Sequence, residues 1–181
     1  MNEIIIAAII AGAVSIVTGI ITIYIQNKHA RRTSIVDTIS RQRIEWVNKM
    51  RDNFVEFNDL VFTHTVKRSS ESRKGEFDFF ESITTIRTLR IHILLLVNPS
   101  EEYANALIKK MNDVLKLLPS SKFDKDKALG YQRQIQKLQQ VLLKSEWSRI
   151  KKEIKEGRVL TKKEVEEVYI EKARDLGVEL S

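Results

Sequence analysis

Residues 4–25 read IIIAAIIAGAVSIVTGIITIYI and contain no charged side chain. At about 1.5 Å of rise per residue, a helix of this length spans about 33 Å, which covers the roughly 30 Å hydrocarbon core of a bilayer. A cleavable signal peptide has a basic start, a shorter apolar run and a small-x-small cleavage site. Here Glu3 precedes the run and YIQNK ends it. The sequence therefore predicts an uncleaved transmembrane anchor over residues 1–27.

The basic residues are absent before this run and frequent after it, at Lys28, Arg31, Arg32, Arg41, Arg43, Lys49 and Arg51. Lys and Arg concentrate on the cytoplasmic side of membrane spans. We therefore expect a single-pass protein of the cell membrane, with its N-terminus outside and residues 28–181 in the cytoplasm. Anionic lipid headgroups attract such residues by about 1 kcal/mol each, so lipids of the cytoplasmic leaflet are an expected partner.

Within the span, small residues recur at intervals of four and three, at Ala8, Gly12, Ser15, Gly19 and Thr22. This spacing places them on one face of a helix. Small residues let membrane helices approach closely, and hydroxyl groups add hydrogen bonds between helices. The sequence therefore predicts that this face mediates self-association.

The remainder of the chain has the composition of long helices, with 30% charged residues, Gly 6, Pro 2 and Cys 0. Apolar residues repeat every three or four positions, and no segment alternates as a strand does. We predict an all-α fold, in which a single transmembrane helix continues into a cytoplasmic antiparallel helical bundle with long coiled-coil-like helices. The predicted domains are the anchor 1–27, the bundle 28–157 and a short C-terminal helix within 158–181.

Five helices are expected after the anchor, over residues 33–66, 77–97, 98–118, 123–156 and 161–176. The first continues the anchor with a loosening near Asn27. Asn98 is expected to cap the third helix, with Pro99 as its first residue, and Thr161 with Glu164 forms a capping box for the last. Gly157 is expected to end the fourth helix. Two long helices of similar length pair, and the uncovered part of that pair is available for oligomerisation.

Nothing in the sequence indicates catalysis. His29, His64 and His92 are the only histidines, and neither His64 nor His92 has the Glu-x-x-His spacing of metal sites in bundles. The chain has no Gly-rich phosphate loop and no nucleophile or metalloprotease motif. We predict that the protein is not an enzyme and uses no cofactor and no metal.

The most distinctive cluster is residues 43–57, which read R-x-x-W-V-x-x-M-R-x-x-F-x-E-F. It resembles a group of bacterial and phage proteins in which an N-terminal membrane span precedes a helix with the pattern R-x-x-W-[IV]-x-x-[LM]-R. The resemblance covers about 50 residues, and the group has no assigned activity. A structural interpretation puts Trp46 and Phe54 in the core and pairs Arg43 and Arg51 with acidic residues of another helix. A functional one makes the basic and aromatic residues of this region contacts for a partner or for lipid: Lys28, Arg31, Arg32, Arg41, Arg43, Trp46 and Arg51.

The function expected from these features is a membrane-anchored, self-associating scaffold or adaptor that presents a helical docking surface in the cytoplasm. Two alternatives stay open. One is a membrane-perturbing oligomer, as in phage exclusion or pore formation. The other is membrane-tethered nucleic-acid binding. It is not favoured, because the basic excess lies beside the membrane and the aromatic residues are expected on the apolar stripes rather than among exposed Lys and Arg.

Overall fold

The computed structural model describes residues 2–70 and 77–180, and in them it is all-helical, without strands. The helices are α1 (Asn2–Ser34), a π-helical segment (Ile35–Ser40), α2 (Arg41–Ser69), α3 (Phe79–Leu96), α4 (Glu102–Leu117), α5 (Lys125–Glu156) and α6 (Lys162–Asp175). The predicted all-α class is thereby confirmed. The polar segment between α2 and α3 lies mostly outside the described residues.

The apolar N-terminal segment forms the predicted helix. In the described residues one helix is long and apolar enough to cross a membrane, at Ile5–Asn27, with a mean hydropathy of 2.5 and none of its apolar stretch buried in the protein. This rests on length and composition. The stretch is available to lipid because no other helix covers it.

The transition from α1 to α2 contains no break, as expected, but the irregularity lies elsewhere than predicted. The expected loosening near Asn27 is wrong, since α1 is regular there, and the helix changes to π-helical geometry at Ile35–Ser40. The π segment, IVDTIS, is rich in β-branched residues, which fit an α-helix less well. By contrast, Gln26 and Lys28 on either side of Asn27 favour a helix.

The other helices pack around one core. α2 packs against α3 and α5, α4 against α3 and α5, and α6 against α5. The predicted stripe of α4 is confirmed in full, since each of its members is buried: Ala104, Leu107, Met111, Val114 and Leu118. Two stripes extend less far than expected, because Ile39 and Ile154, at the membrane-proximal ends of the long helices, are exposed.

The helix ends agree with the sequence at two sites and differ at one. Thr161 and Glu164 form the predicted capping box. Gly157 ends α5 with φ of 67°, a left-handed conformation that suits glycine. The prediction for Asn98 is wrong, because α4 begins three residues later with Glu101 as its N-cap. The Asn98 side chain instead accepts the backbone N–H of Ser100 at 3.1 Å, which stabilises a turn before the helix.

Candidate functional site

The buried face of α5 carries four polar residues at intervals of seven: Gln132, Gln139, Glu146 and Glu153. This spacing places them on one line along the helix. Buried polar groups require partners, and α2 supplies partners for Gln132, Gln139 and Glu153. The Gln132 amide donates to the Asn58 carbonyl at 2.9 Å, and the Asn58 amide donates to Gln139 Oε1 at 2.7 Å. The two helices are therefore joined by polar contacts as well as by apolar packing.

At the end of α5 that lies next to the start of α2, the same line carries charge and forms an ion-pair cluster. Glu153, which is 2% exposed, accepts Arg43 of α2 and, at 3.2 Å, Nε of Arg149. It also accepts the backbone N–H of Leu160 at 3.1 Å. One carboxylate thus connects α2, α5 and the segment leading into α6.

Glu146, one heptad earlier and 4% exposed, completes the cluster. It accepts the Tyr169 hydroxyl of α6 at 2.7 Å, and Nη1 of Arg149 lies 3.4 Å from the same oxygen. Burial and the neighbouring carboxylate raise the pKa of Tyr169 far above its ordinary value. Burial alone would lower the pKa of Arg149, but Glu146 and Glu153 raise it. Both groups therefore keep their protons, and the cluster keeps its bonding, across the neutral range.

A cavity of about 220 Å³ adjoins the cluster, with Trp46 and Glu101 in its wall. The Trp46 indole N–H donates to the Leu96 carbonyl at 2.9 Å and fixes the end of α3 against α2. Burial, and next the charge of Glu146, raise the pKa of the Glu101 carboxyl. The volume is below the range of about 300–1,000 Å³ typical of small-molecule sites. The charged groups of the cluster bond to one another rather than to a ligand. We therefore interpret the cluster as a structural connection that holds the helices rigidly together.

The residues predicted for partner or lipid contact separate into four groups. The side chains of Lys28, Arg31 and Arg32 lie outside the described residues. Arg41 is exposed. Arg43 pairs with Glu153 of another helix, as the structural interpretation expects, whereas Trp46 is only partly buried and lines the cavity beside the cluster. For Arg51 that interpretation is wrong, because its guanidinium bonds to Asn48 of its own helix at 2.9 Å and no ion pair forms with another helix in the described residues.

The small residues of α1 are exposed and uncovered. A Cβ added at Gly12 or Gly19 meets nothing within 4 Å. The hydroxyls of Ser15 and Thr22 donate to carbonyls of their own helix, Ala11 and Thr18, at 2.9 and 2.8 Å. This face of α1 therefore carries only small side chains, and the hydroxyl groups of Ser15 and Thr22 are hydrogen-bonded to carbonyls of their own helix.

Two of the histidines are described in full. His64 is buried, and its Nδ1 lies 3.1 Å from the Ser82 hydroxyl, whereas His92 is exposed on α3. The His64 ring makes edge contacts with Phe77 and Phe79 at centroid distances of 5.9 and 5.2 Å. Its environment is that of a core residue.

The expectation that the aromatic residues lie on the apolar stripes is wrong for Phe62, Phe80 and Trp147, which are exposed. Trp147 is 46% exposed on α5, between Lys144 and Lys151, and Phe62 is 50% exposed on α2. An open groove of about 660 Å³ surrounds Trp147 and is bounded by α2 and α6. The sequence analysis missed this groove and the carboxylates of the ion-pair cluster. The seven-residue spacing of polar residues on α5 was the available signal.

No protein-family model, curated protein or solved structure matches the chain. The residues themselves are therefore the basis for the function proposed below.

Proposed function

We propose that the protein is a membrane-anchored, self-associating scaffold whose helical bundle presents a docking surface on the cytoplasmic side. The observation that carries the proposal is the division of the chain into an apolar helix with no covering partner and a separately packed helical core. A helix that is apolar on all sides is stable in lipid and costly in water.

The bundle is inferred to be antiparallel. Support comes from two contacts between the long helices, Arg43 with Glu153 and Asn58 with Gln139, because the residue numbers rise on α2 as they fall on α5. The first contact is made in the first turn of α2, directly after the π segment. The ion-pair cluster therefore holds the bundle rigidly at the point where it meets the anchor.

Self-association through the anchor rests on the smooth face around Gly12 and Gly19. The basic residues that follow the span support the proposed orientation and contact with anionic headgroups. By this mechanism the protein carries out no reaction. It assembles copies of itself at the membrane and holds their bundles side by side.

The experiment compares oligomer size in detergent micelles for wild type and Gly12→Leu/Gly19→Leu. The leucines have open space in the single chain, so a reduced oligomer size reports loss of close packing between chains. The matched control is Val14→Leu/Ile21→Leu, which adds no bulk to the small-residue face because each site is about 200° round the helix from a glycine. Equal oligomer size in all three proteins would contradict association through the anchor.

A second candidate function, membrane-tethered nucleic-acid binding, is favoured by one observation, the exposed Trp147 between two lysines. Aromatic rings among basic residues bind single strands by stacking. Binding of an unstructured oligonucleotide with sub-micromolar affinity at physiological salt would support it. Trp147→Ala would then weaken that binding more than the same change at Phe80, which is exposed on α3.

A further inference from the structure

In the described part of the chain, one side of the α2–α5 pair is not covered by another helix along most of its length, and only the end of α6 borders it. We call it the outer face. On α2 its members follow one another at alternating intervals of four and three: Ile44, Asn48, Arg51, Val55, Asn58 and Phe62. Val55 is 63% exposed and Phe62 50% exposed, and on α5 the face includes Leu143 and the exposed Trp147. Alternating intervals of four and three are the pattern of a helix seam that packs against another helix.

Charged residues form one row along each edge of this face. Glu45, Asp52 and Asp59 recur every seven residues on α2, and Lys137, Lys144 and Lys151 do so on α5. All six are exposed, and none forms an ion pair within the described part of the chain. Within the described residues, neither row therefore forms a salt bridge in its own copy, although Asp175 lines the groove beside Lys144 and Lys151.

The helical repeat of about 100° per residue places the rows on the far edges. Around the axis of α2, Asn58 points towards α5. Val55 and Phe62 lie next to it on the outer side, and the acidic row lies further round, away from α5. Around the axis of α5, Gln139 points towards α2. Leu143 and Trp147 lie next to it on the outer side, and the basic row lies further round, away from α2. The acidic edge and the basic edge are therefore separated by the middle of the outer face, where Val55, Phe62 and Trp147 lie together with the polar Asn48 and Arg51.

The members of the two rows lie at matching positions along the axes of α2 and α5. Arg43 pairs with Glu153, and Asn58 with Gln139, which fixes the register between the long helices. In that register Glu45 is level with Lys151, Asp52 with Lys144 and Asp59 with Lys137. Both rows advance by about 10.5 Å per seven residues, so all three levels coincide.

We propose that the outer face binds a second copy of this chain, related by a two-fold axis parallel to α2 and α5. Such a rotation places α2 of one copy over α5 of the other. Each acidic row then meets the basic row of the other copy, level by level, and the exposed Val55, Phe62 and Trp147 become covered. An axis perpendicular to the membrane keeps both anchors pointing the same way, as two copies in one bilayer require. The inference rests on the proposed self-associating function and names its cytoplasmic interface.

Charge complementarity is the feature that selects this occupant. A partner of one charge, such as a nucleic acid or an acidic peptide, leaves the acidic row facing like charge. A second copy in the two-fold arrangement satisfies both rows at once. The interface is isologous, because the same face serves on both copies.

The test uses the full chain in lipid nanodiscs or micelles and measures dimerisation by energy transfer between copies labelled at Leu180→Cys, since the chain has no other cysteine. The acid-to-base variant is Glu45→Lys/Asp52→Lys/Asp59→Lys, and the base-to-acid variant is Lys137→Glu/Lys144→Glu/Lys151→Glu. Each variant alone places like charges opposite each other in all six pairs of the dimer, three for each copy's acidic row. We expect each to weaken dimerisation more than tenfold.

A mixture of the two variants is the decisive measurement. In the mixed dimer every pair again combines opposite charges, so we expect mixed dimers to form with nearly the wild-type affinity. The matched control, Glu102→Lys/Glu166→Lys/Glu167→Lys, reverses three exposed acidic residues away from the outer face and should not change dimerisation. Circular dichroism of each variant checks that the helices are retained.

The possible failures are distinguishable. A monomeric wild-type protein would overturn self-association itself, and with it the proposed function. A wild-type dimer that neither variant weakens would overturn the outer face while leaving the scaffold proposal intact. Weakening by both variants without recovery in the mixture would show that the pairs are not aligned as inferred, and would also overturn the two-fold arrangement.

Discussion

Acidification should destabilise the bundle through His64, which is buried between α2 and α3. Burial, together with the positive charge of Arg68, lowers the pKa of this imidazole from 6.5 to about 4. Above pH 6.5 the ring is neutral in the folded and the unfolded chain, so it contributes no pH dependence. Between pH 6.5 and 4 the unfolded chain takes up a proton that the folded chain does not, and stability therefore falls as the pH falls.

The size of the effect follows from the shift. One pKa unit corresponds to about 1.36 kcal/mol, so the loss is about 2 kcal/mol at pH 5 and approaches about 3 kcal/mol near pH 4. The assay is urea denaturation of the full chain in micelles at pH 7.5, 6 and 5, followed by tryptophan fluorescence. We expect the free energy of unfolding to decline more steeply for wild type than for His64→Leu, which cannot titrate.

The comparison with the variant isolates His64 from the carboxylates, because these titrate in both proteins. His92→Leu is the matched control, since water surrounds that imidazole in both states. It should keep the wild-type pH dependence. The reasoning is refuted if wild type and His64→Leu lose stability equally between pH 7.5 and 5.

Other predictions concern the ion-pair cluster and the lipid contact. Glu153→Leu leaves Arg43 and Arg149 without this carboxylate and should cost about 3 kcal/mol of unfolding free energy in urea denaturation, whereas Glu156→Gln, at a solvent-exposed pair with Arg158, should not shift the midpoint. Trp46→Phe removes the hydrogen bond to Leu96 and should cost about 1 kcal/mol in the same assay; an unchanged midpoint would mean that this bond does not hold α3. Arg41→Gln/Lys49→Gln should weaken binding of a fragment from Thr33 onward to anionic vesicles about 30-fold in co-sedimentation at low salt, since each residue contributes about 1 kcal/mol. The control pair Lys116→Gln/Lys125→Gln, at the distal end of the bundle, should have little effect, and equal weakening would indicate a diffuse charge effect.

The sequence was sufficient for the helices and for most of the core. The α4 stripe and the Thr161 capping box were predictable because periodicity and capping are local properties. Asn98 was misassigned because an Asn before Pro-Ser-Glu suits a turn as well as a helix cap, and the choice depends on where α4 packs. Trp147 was not singled out because only the position of α6 determines which side of α5 stays open.

The sequence allowed the basic member of the ion-pair cluster to be predicted, but not its acidic partner. Arg43 interrupts an apolar stripe, which indicates a buried cation that needs an acidic partner. The partner could not be named from sequence, because Glu153 is one of many Glu residues on α5 and α6 and its selection depends on the register between two distant helices. The seven-residue spacing of Gln132, Gln139, Glu146 and Glu153 narrows that choice once it is noticed.

The π-helical segment at Ile35–Ser40 sets an angle between two parts of the chain. Hydrogen bonds from residue i to i+5 place about one extra residue in a turn, and each residue of an α-helix corresponds to about 100° of rotation. The direction in which the bundle faces, relative to the direction in which the small residues of the anchor face, is therefore fixed by this short stretch of backbone. If the stretch reverts to α-helical bonding, α2 turns about its own axis relative to α1, and the contact between the π-helical segment and α5 changes with it. With the anchor in a membrane as proposed, a rotation of this kind would connect a change in α1 with the surface that the bundle exposes.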